Sequence, residues 1–257
     1  MKRYPVLSYV VLTYLITWII SLPLVFTANH LFGISVSYKL HYLTAYGPLI
    51  SALIVIYVTK GIDGLKALLS KVFLWKVNLI WYLVALSPLF IYLALGNVNL
   101  NLLGQINFLP NLGFGALLFW IFNSGLGEEV GWRGFLLPQL QKKYSPIKSS
   151  FILSLFWIIW HIPAFFYLPT YMKLGLGILP FFIIGIASGS IIYTWIFNNT
   201  RGSVFMVVLF HGVFNFVTAS KAGEGIVAAV ISTLIIIGAC ILLLLKPVGL
   251  KSSWYTN

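Results

Sequence analysis

Eight apolar stretches, each about 20 residues long, divide this chain, with polar residues collected mostly in the short segments between them. They cover residues 6–26, 42–59, 78–95, 113–137, 149–167, 174–197, 203–219 and 226–245. At a rise of about 1.5 Å per residue, a helix of that length crosses a hydrocarbon layer of about 30 Å. The pattern therefore predicts an all-α polytopic protein of about eight transmembrane helices. The first stretch follows Met1-Lys2-Arg3 like a signal peptide, but its length and the lack of a small-x-small cleavage site predict a retained span. Residues 62–73 set Lys66 and Lys71 among Leu65, Leu68, Leu69 and Val72. That segment reads either as an amphipathic helix on the cytoplasmic surface or as a plain charged connector.

Composition narrows the class. With 60% hydrophobic and 8% charged residues the chain is not a soluble domain, and its loops are too short for a second folded unit. Residues 1–257 are thus expected to form a single transmembrane domain. A net charge of +12 raises nucleic acid as a partner, but the basic residues are spread over loops instead of forming one patch, so the expected partner is the lipid bilayer. Of the 16 basic residues, twelve fall on one side of the eight-span layout and three on the other, with Arg133 inside a span. That asymmetry places both termini in the cytoplasm of a multi-pass protein of the cell membrane. The lone Cys240 excludes an intrachain disulfide and reads as packing.

Against this background the buried polar residues stand out. Glu128 and Glu129 are half of the four acidic residues, and each carboxylate at the centre of a span costs about 2.5–3.5 kcal/mol. Arg133 lies one helical turn after Glu129, so an internal ion pair is expected, whereas Glu128, about 100° away, has no basic partner at helical spacing. His161 and His211 also fall within apolar stretches, and Asn215 follows His211 by one turn. His30 and His41 are assigned to the first external loop. Pro163 removes a backbone hydrogen bond to the Ile159 carbonyl and predicts a kink beside His161. Counted along each span, Glu128, His161 and His211 reach similar depths in or near the cytoplasmic half. Such groups either glue helices together or form one site, and their number favours a site. Gly127 with Gly131, and Gly185 with Gly189, have the spacing of close helix packing.

Glu128-Glu129-xxx-Arg133, His161 four residues after an aromatic, and His211-xxx-Asn215 resemble the three motifs of the CAAX-protease and bacteriocin-processing (Abi) family, which includes the Ras-converting type of prenyl-protein endopeptidase. The resemblance covers about residues 113–217, with the motif-bearing core at 113–219; Trp157 stands where the family usually has Phe. It implies an intramembrane glutamic endopeptidase, eight helices, a cytosol-facing cavity and no cofactor. The implied substrate is a protein or peptide cut near its C-terminus, lipidated in the prenyl-protein case. Glu128 would be the general base, helped by His161; His211 and Asn215 would stabilise the oxyanion; Glu129 and Arg133 would support Glu128.

Other protease classes lack their signatures: there is no HExxH, no GxGD pair, and Ser188 in Gly185-Ile-Ala-Ser188-Gly189 does not stand in GxSG. Two alternatives stay open at this level. The same two glutamates, two histidines and asparagine could hold zinc or another divalent metal. The protein could instead be a transporter or scaffold, since charges inside a membrane also mark ion paths.

Overall fold

The first helix, α1 (Pro5–Ala28), is built inside out by the standards of a water-soluble helix. It buries Thr13, Thr17 and Ser21 along one face and exposes Leu7, Val11, Leu15, Ile19 and Leu22. Helix α8 (Pro146–Trp160) repeats the arrangement, with Ser149, Ser150 and Ser154 inside and Phe151, Leu155 and Ile159 outside. Exposed leucine with enclosed hydroxyls is stable only in lipid, where small polar residues pack helices closely and hydrogen-bond across them. Trp160 donates to the Thr17 hydroxyl at 2.8 Å, joining α8 to α1, and Ser150 donates to the Thr194 hydroxyl at 2.8 Å, joining α8 to α10 (Leu179–Asn199).

This computed structural model describes residues 1–97, 113–219 and 226–251. Lys221 and Glu224, which the sequence places in a connecting segment, lie outside them. Among the described residues there is no strand. After α1 come α2 (His41–Thr44), α3 (Gly47–Val72) and α4 (Ile80–Asn97). The fourth predicted span is α5 (Phe114–Trp120), a π-helical turn (Ile121–Leu126), α6 (Gly127–Gly131), a second π turn (Trp132–Leu136) and α7 (Leu137–Gln141). Then follow α8, a 3-10 turn (Ile162–Phe166), α9 (Pro169–Leu174), a 3-10 turn (Gly175–Ile178), α10, α11 (Val204–Ala219) and α12 (Ile226–Leu245).

Among the described residues five helical segments are long and apolar enough to cross a membrane, two more apolar helices (Ile80–Leu95 and Val204–Ala219) are shorter, and the glutamate-bearing segment is interrupted by its π turns. The expected helical membrane protein is present, while a count of eight full spans is not established by helix length.

Two breaks have clear local causes. Gly61 adopts φ +62°, a left-handed conformation that costs glycine little, and splits α3 so that residues 62–72 form a separate helix with Leu68 and Val72 buried. The amphipathic helix expected at 62–73 is this segment. Pro138 has no N–H and its ring would crowd the Gly134 carbonyl, and the second π turn, which contains Gly134, accommodates that conflict. Beyond His161 the effect of Pro163 is larger than the expected kink: α8 stops at Trp160 and a 3-10 turn takes over.

Glycines carry the tightest crossings. A Cβ on Gly131 would lie 2.5 Å from both the Pro48 carbonyl oxygen and the Tyr9 hydroxyl, and one on Gly127 would lie 2.8 Å from the Ala45 carbonyl oxygen. These two therefore let α6 touch α3 and the residues before it, as expected. Gly185 and Gly189 do not: a Cβ at either would meet nothing within 4 Å, because both line open space. Cys240, expected as packing, is exposed.

The hydrogen bonds between loops define two ends. At one, Ser203 donates to the Leu74 carbonyl, Arg201 to the Lys76 carbonyl and Asn198 to the Gly249 carbonyl. At the other, Asn29 donates to the Phe166 carbonyl and Asn123 to the Tyr42 carbonyl. Helix α1 starts at the first end and finishes at the second, so both chain termini belong to the first.

Candidate active site

Interrupted by π turns on both sides, α6 turns Glu128 and Glu129 inward, where they are 6% and 0% exposed. The expected ion pair forms. Arg133 Nη1 lies 2.9 Å from each Glu129 oxygen, an end-on contact rather than a two-pronged one, with both side chains fully buried. Its guanidinium also lies 4.6 Å from the Trp157 ring and 4.6 Å from the Tyr193 ring, two rings that themselves meet at 5.8 Å between centroids. The cation thus faces a carboxylate and the π-density of an adjoining aromatic pair.

Sequence spacing misses the second partner of Glu129. His211 Nδ1 is 2.8 Å from Glu129 Oε1 across 82 residues of chain. A carboxylate beside a guanidinium is an acceptor, so His211 Nδ1 carries the hydrogen. Its other ring nitrogen, Nε2, lies 3.3 Å from the Asn215 amide nitrogen, which donates to it in this arrangement. His211 as an oxyanion donor therefore needs a second proton on Nε2; in the resting arrangement the free N–H of Asn215 is the available donor.

Glu128 is not the unpartnered acid that helical spacing predicts. The Trp157 indole N–H donates to Glu128 Oε2 at 2.8 Å. Glu128 Oε1 is left for a water or substrate. His161 is hydrogen-bonded within its own helix end, its Nδ1 2.8 Å from the Trp157 carbonyl oxygen. A carbonyl only accepts, so Nδ1 holds the hydrogen and Nε2 keeps the lone pair. Any help that His161 gives to a water passes through Nε2. The edges of Trp160 and Phe182 hold the ring at centroid distances of 4.5 and 5.2 Å.

Glu128, His161, His211 and Asn215 all line one cavity of about 900 Å³, while Arg133 and Glu129 stand behind it. That volume is at the top of the usual range for ligand sites, about 300–1,000 Å³. His41 also lines it. Instead of lying in an external loop, His41 opens α2 and its Nδ1 is 2.8 Å from the Tyr167 hydroxyl. A His beside a turn-rich segment carries no signal of this in the sequence.

The cavity runs from the middle of the bundle, where Glu128, Tyr193 and Phe210 line it, to the second end, where Tyr167, Leu168 and Thr218 do. It therefore extends away from the termini.

A divalent cation fits the cluster poorly. Both Glu129 oxygens are engaged by Arg133, and His211 presents a hydrogen to Glu129, so neither Glu129 nor His211 Nδ1 is open to a cation in this arrangement. Among the described residues no three His, Cys, Asp or Glu side chains gather as metal ligands would.

Fold and site together define a class: a helical membrane protein with a carboxylate, two imidazoles and a carboxamide around an internal cavity. Residues 110–217 match the family model of the Rce1-like type II CAAX prenyl endopeptidases. Over 108 residues the chain is 32% identical to CAAX prenyl protease 2 of Methanococcus maripaludis, covering 40% of this chain and 39% of the relative's length. The chain resembles that family over the stretch holding Glu128, Glu129, Arg133, His161, His211 and Asn215; α1, α2, α3, α4 and α12 lie outside it.

Proposed function

We propose that the protein is a membrane-embedded endopeptidase that hydrolyses a peptide bond near the C-terminus of a protein or peptide, using a water activated by Glu128. The observation that carries this reading is the convergence of Glu128, His161, His211 and Asn215 on one cavity. Glu128 Oε1 takes a proton from water, with His161 Nε2 orienting it. The resulting hydroxide attacks the carbonyl carbon, and the oxyanion receives the Asn215 N–H. Collapse breaks the C–N bond, and protonated Glu128 returns its proton to the leaving amine. Glu129 and Arg133 hold the His211 ring and the helix behind Glu128. No metal takes part.

The test uses purified protein in liposomes and a peptide library read by mass spectrometry in ¹⁸O-labelled water. The expected products carry one ¹⁸O in each new carboxylate, and their yield is the same with a divalent-metal chelator present. Absence of any cleavage, or loss with chelator and recovery with zinc, would overturn the reading. Inclusion of prenylated peptides, which the relative's name points to, defines whether the cavity takes a lipid-bearing segment.

The charge asymmetry supports cytoplasmic termini, and with that orientation the substrate segment enters the cavity from the opposite face of the cell membrane. Replacing Cys240, the chain's one cysteine, by Ser gives a cysteine-free background. Ser35 at the cavity end and Ser70 at the terminal end are both exposed. In intact cells a membrane-impermeant maleimide is expected to label Ser35→Cys and to reach Ser70→Cys only after permeabilisation. The reverse pattern would place the cavity in the cytosol and the termini outside.

A further inference from the structure

Trp157 touches more of the cluster than any residue assigned a chemical step above. Its indole N–H donates to Glu128 Oε2 at 2.8 Å, its ring lies 4.6 Å from the Arg133 guanidinium, and its centroid is 5.6 Å from that of His211 at 76°. Its backbone carbonyl also receives His161 Nδ1 at 2.8 Å. The residue is 4% exposed, so no bulk water replaces these contacts.

We propose that Trp157 is the positioning residue of the site: its indole N–H fixes the Glu128 carboxyl so that Oε1, not Oε2, meets the attacking water. This rests on the proteolytic reading. A carboxylate with two free oxygens rotates about its last torsion and presents either one, whereas a directed indole bond to Oε2 selects one orientation. The contact is specific to an indole. Phe, which the resembled family usually has here, would keep a ring against Arg133 and His211 and lose the donor. In this chain the aromatic wall and the carboxylate clamp are one side chain.

The experiment is Trp157→Phe, compared with Glu128→Gln, in the full-length protein labelled with ¹⁵N at the tryptophan indoles. There are nine tryptophans, and the indole resonance missing in Trp157→Phe identifies Trp157. In the parent protein that indole proton is expected downfield of the others, as a bond to a carboxylate requires, and Glu128→Gln is expected to move it upfield. Trp157→Phe is expected to lower kcat about tenfold with KM unchanged, because the lost contact orients the base and does not hold substrate.

An indole proton that Glu128→Gln leaves in place, or a Trp157→Phe protein with the kcat of the parent, would overturn the proposal. A fall in thermal midpoint with KM raised and kcat kept would make Trp157 a packing residue, which also overturns it. The resonance is read whether or not any peptide is cleaved, so absence of cleavage by the parent would remove the proteolytic reading while an unmoved resonance would remove the role of Trp157.

Discussion

Glu128→Gln is expected to lower the cleavage rate by about 10²–10⁴-fold, the usual contribution of a positioned general base, while leaving folding and peptide binding intact. Gln has the shape of Glu and retains a carbonyl oxygen to accept the Trp157 indole N–H, so the 2.8 Å contact has a replacement acceptor. What disappears is the capacity to take a proton from water and return it to the amine. KM should therefore stay near its parent value and kcat should collapse, the signature of an interaction made only on the way to the transition state. The same variant should retain uncleaved peptides, which makes capture by mass spectrometry a route to the natural substrate. Activity within a few-fold of the parent would show that Glu128 is not the base and that another group of the cluster activates the water.

Much of the fold could be read from the order of apolar stretches because lipid makes that order informative: a chain in a bilayer must satisfy its backbone within each segment. The Glu129–Arg133 pair was readable for a related reason, since contacts one helical turn apart follow from helix geometry alone. The helix at 62–72 was only one of two readings of its leucine and lysine spacing, the other being a charged connector.

The remainder depends on contacts between distant segments. That His211 docks on Glu129, and that Trp157 caps Glu128, is decided by how α11 and α8 cross α6, and no periodicity within one helix encodes it. The first π turn is equally hidden. It lies where α11 presses on a glycine of the fourth segment: a Cβ on Gly125 would lie 2.5 Å from the Val208 carbonyl oxygen. Depth counted at a constant rise fails across such turns, because each i→i+5 turn uses more residues than an α turn. Gly185 and Gly189 show the converse error, since a spacing that permits close packing says nothing of whether a partner is there.

The buried triad of Glu129, Arg133 and His211 separates structural glue from function through one comparison. Arg133→Met would leave the Glu129 carboxylate, 0% exposed, without its cation, and Glu129→Met would leave the guanidinium with only the Trp157 and Tyr193 rings. Breaking one partner of a buried pair costs about 3–5 kcal/mol, so each single variant should lose a large part of its stability against denaturing detergent. The double variant Glu129→Met/Arg133→Met removes both charges together and should recover most of that loss, since apolar groups of similar volume replace a buried pair at little net cost. Cleavage should stay abolished in the double variant, because His211 Nδ1 then has no carboxylate to fix its ring and its Nε2 no longer faces Asn215 in a defined orientation. Recovery of stability and cleavage together would reduce the triad to helix packing. Recovery of stability alone would show that Glu129 and Arg133 orient the His211 ring that lines the cavity.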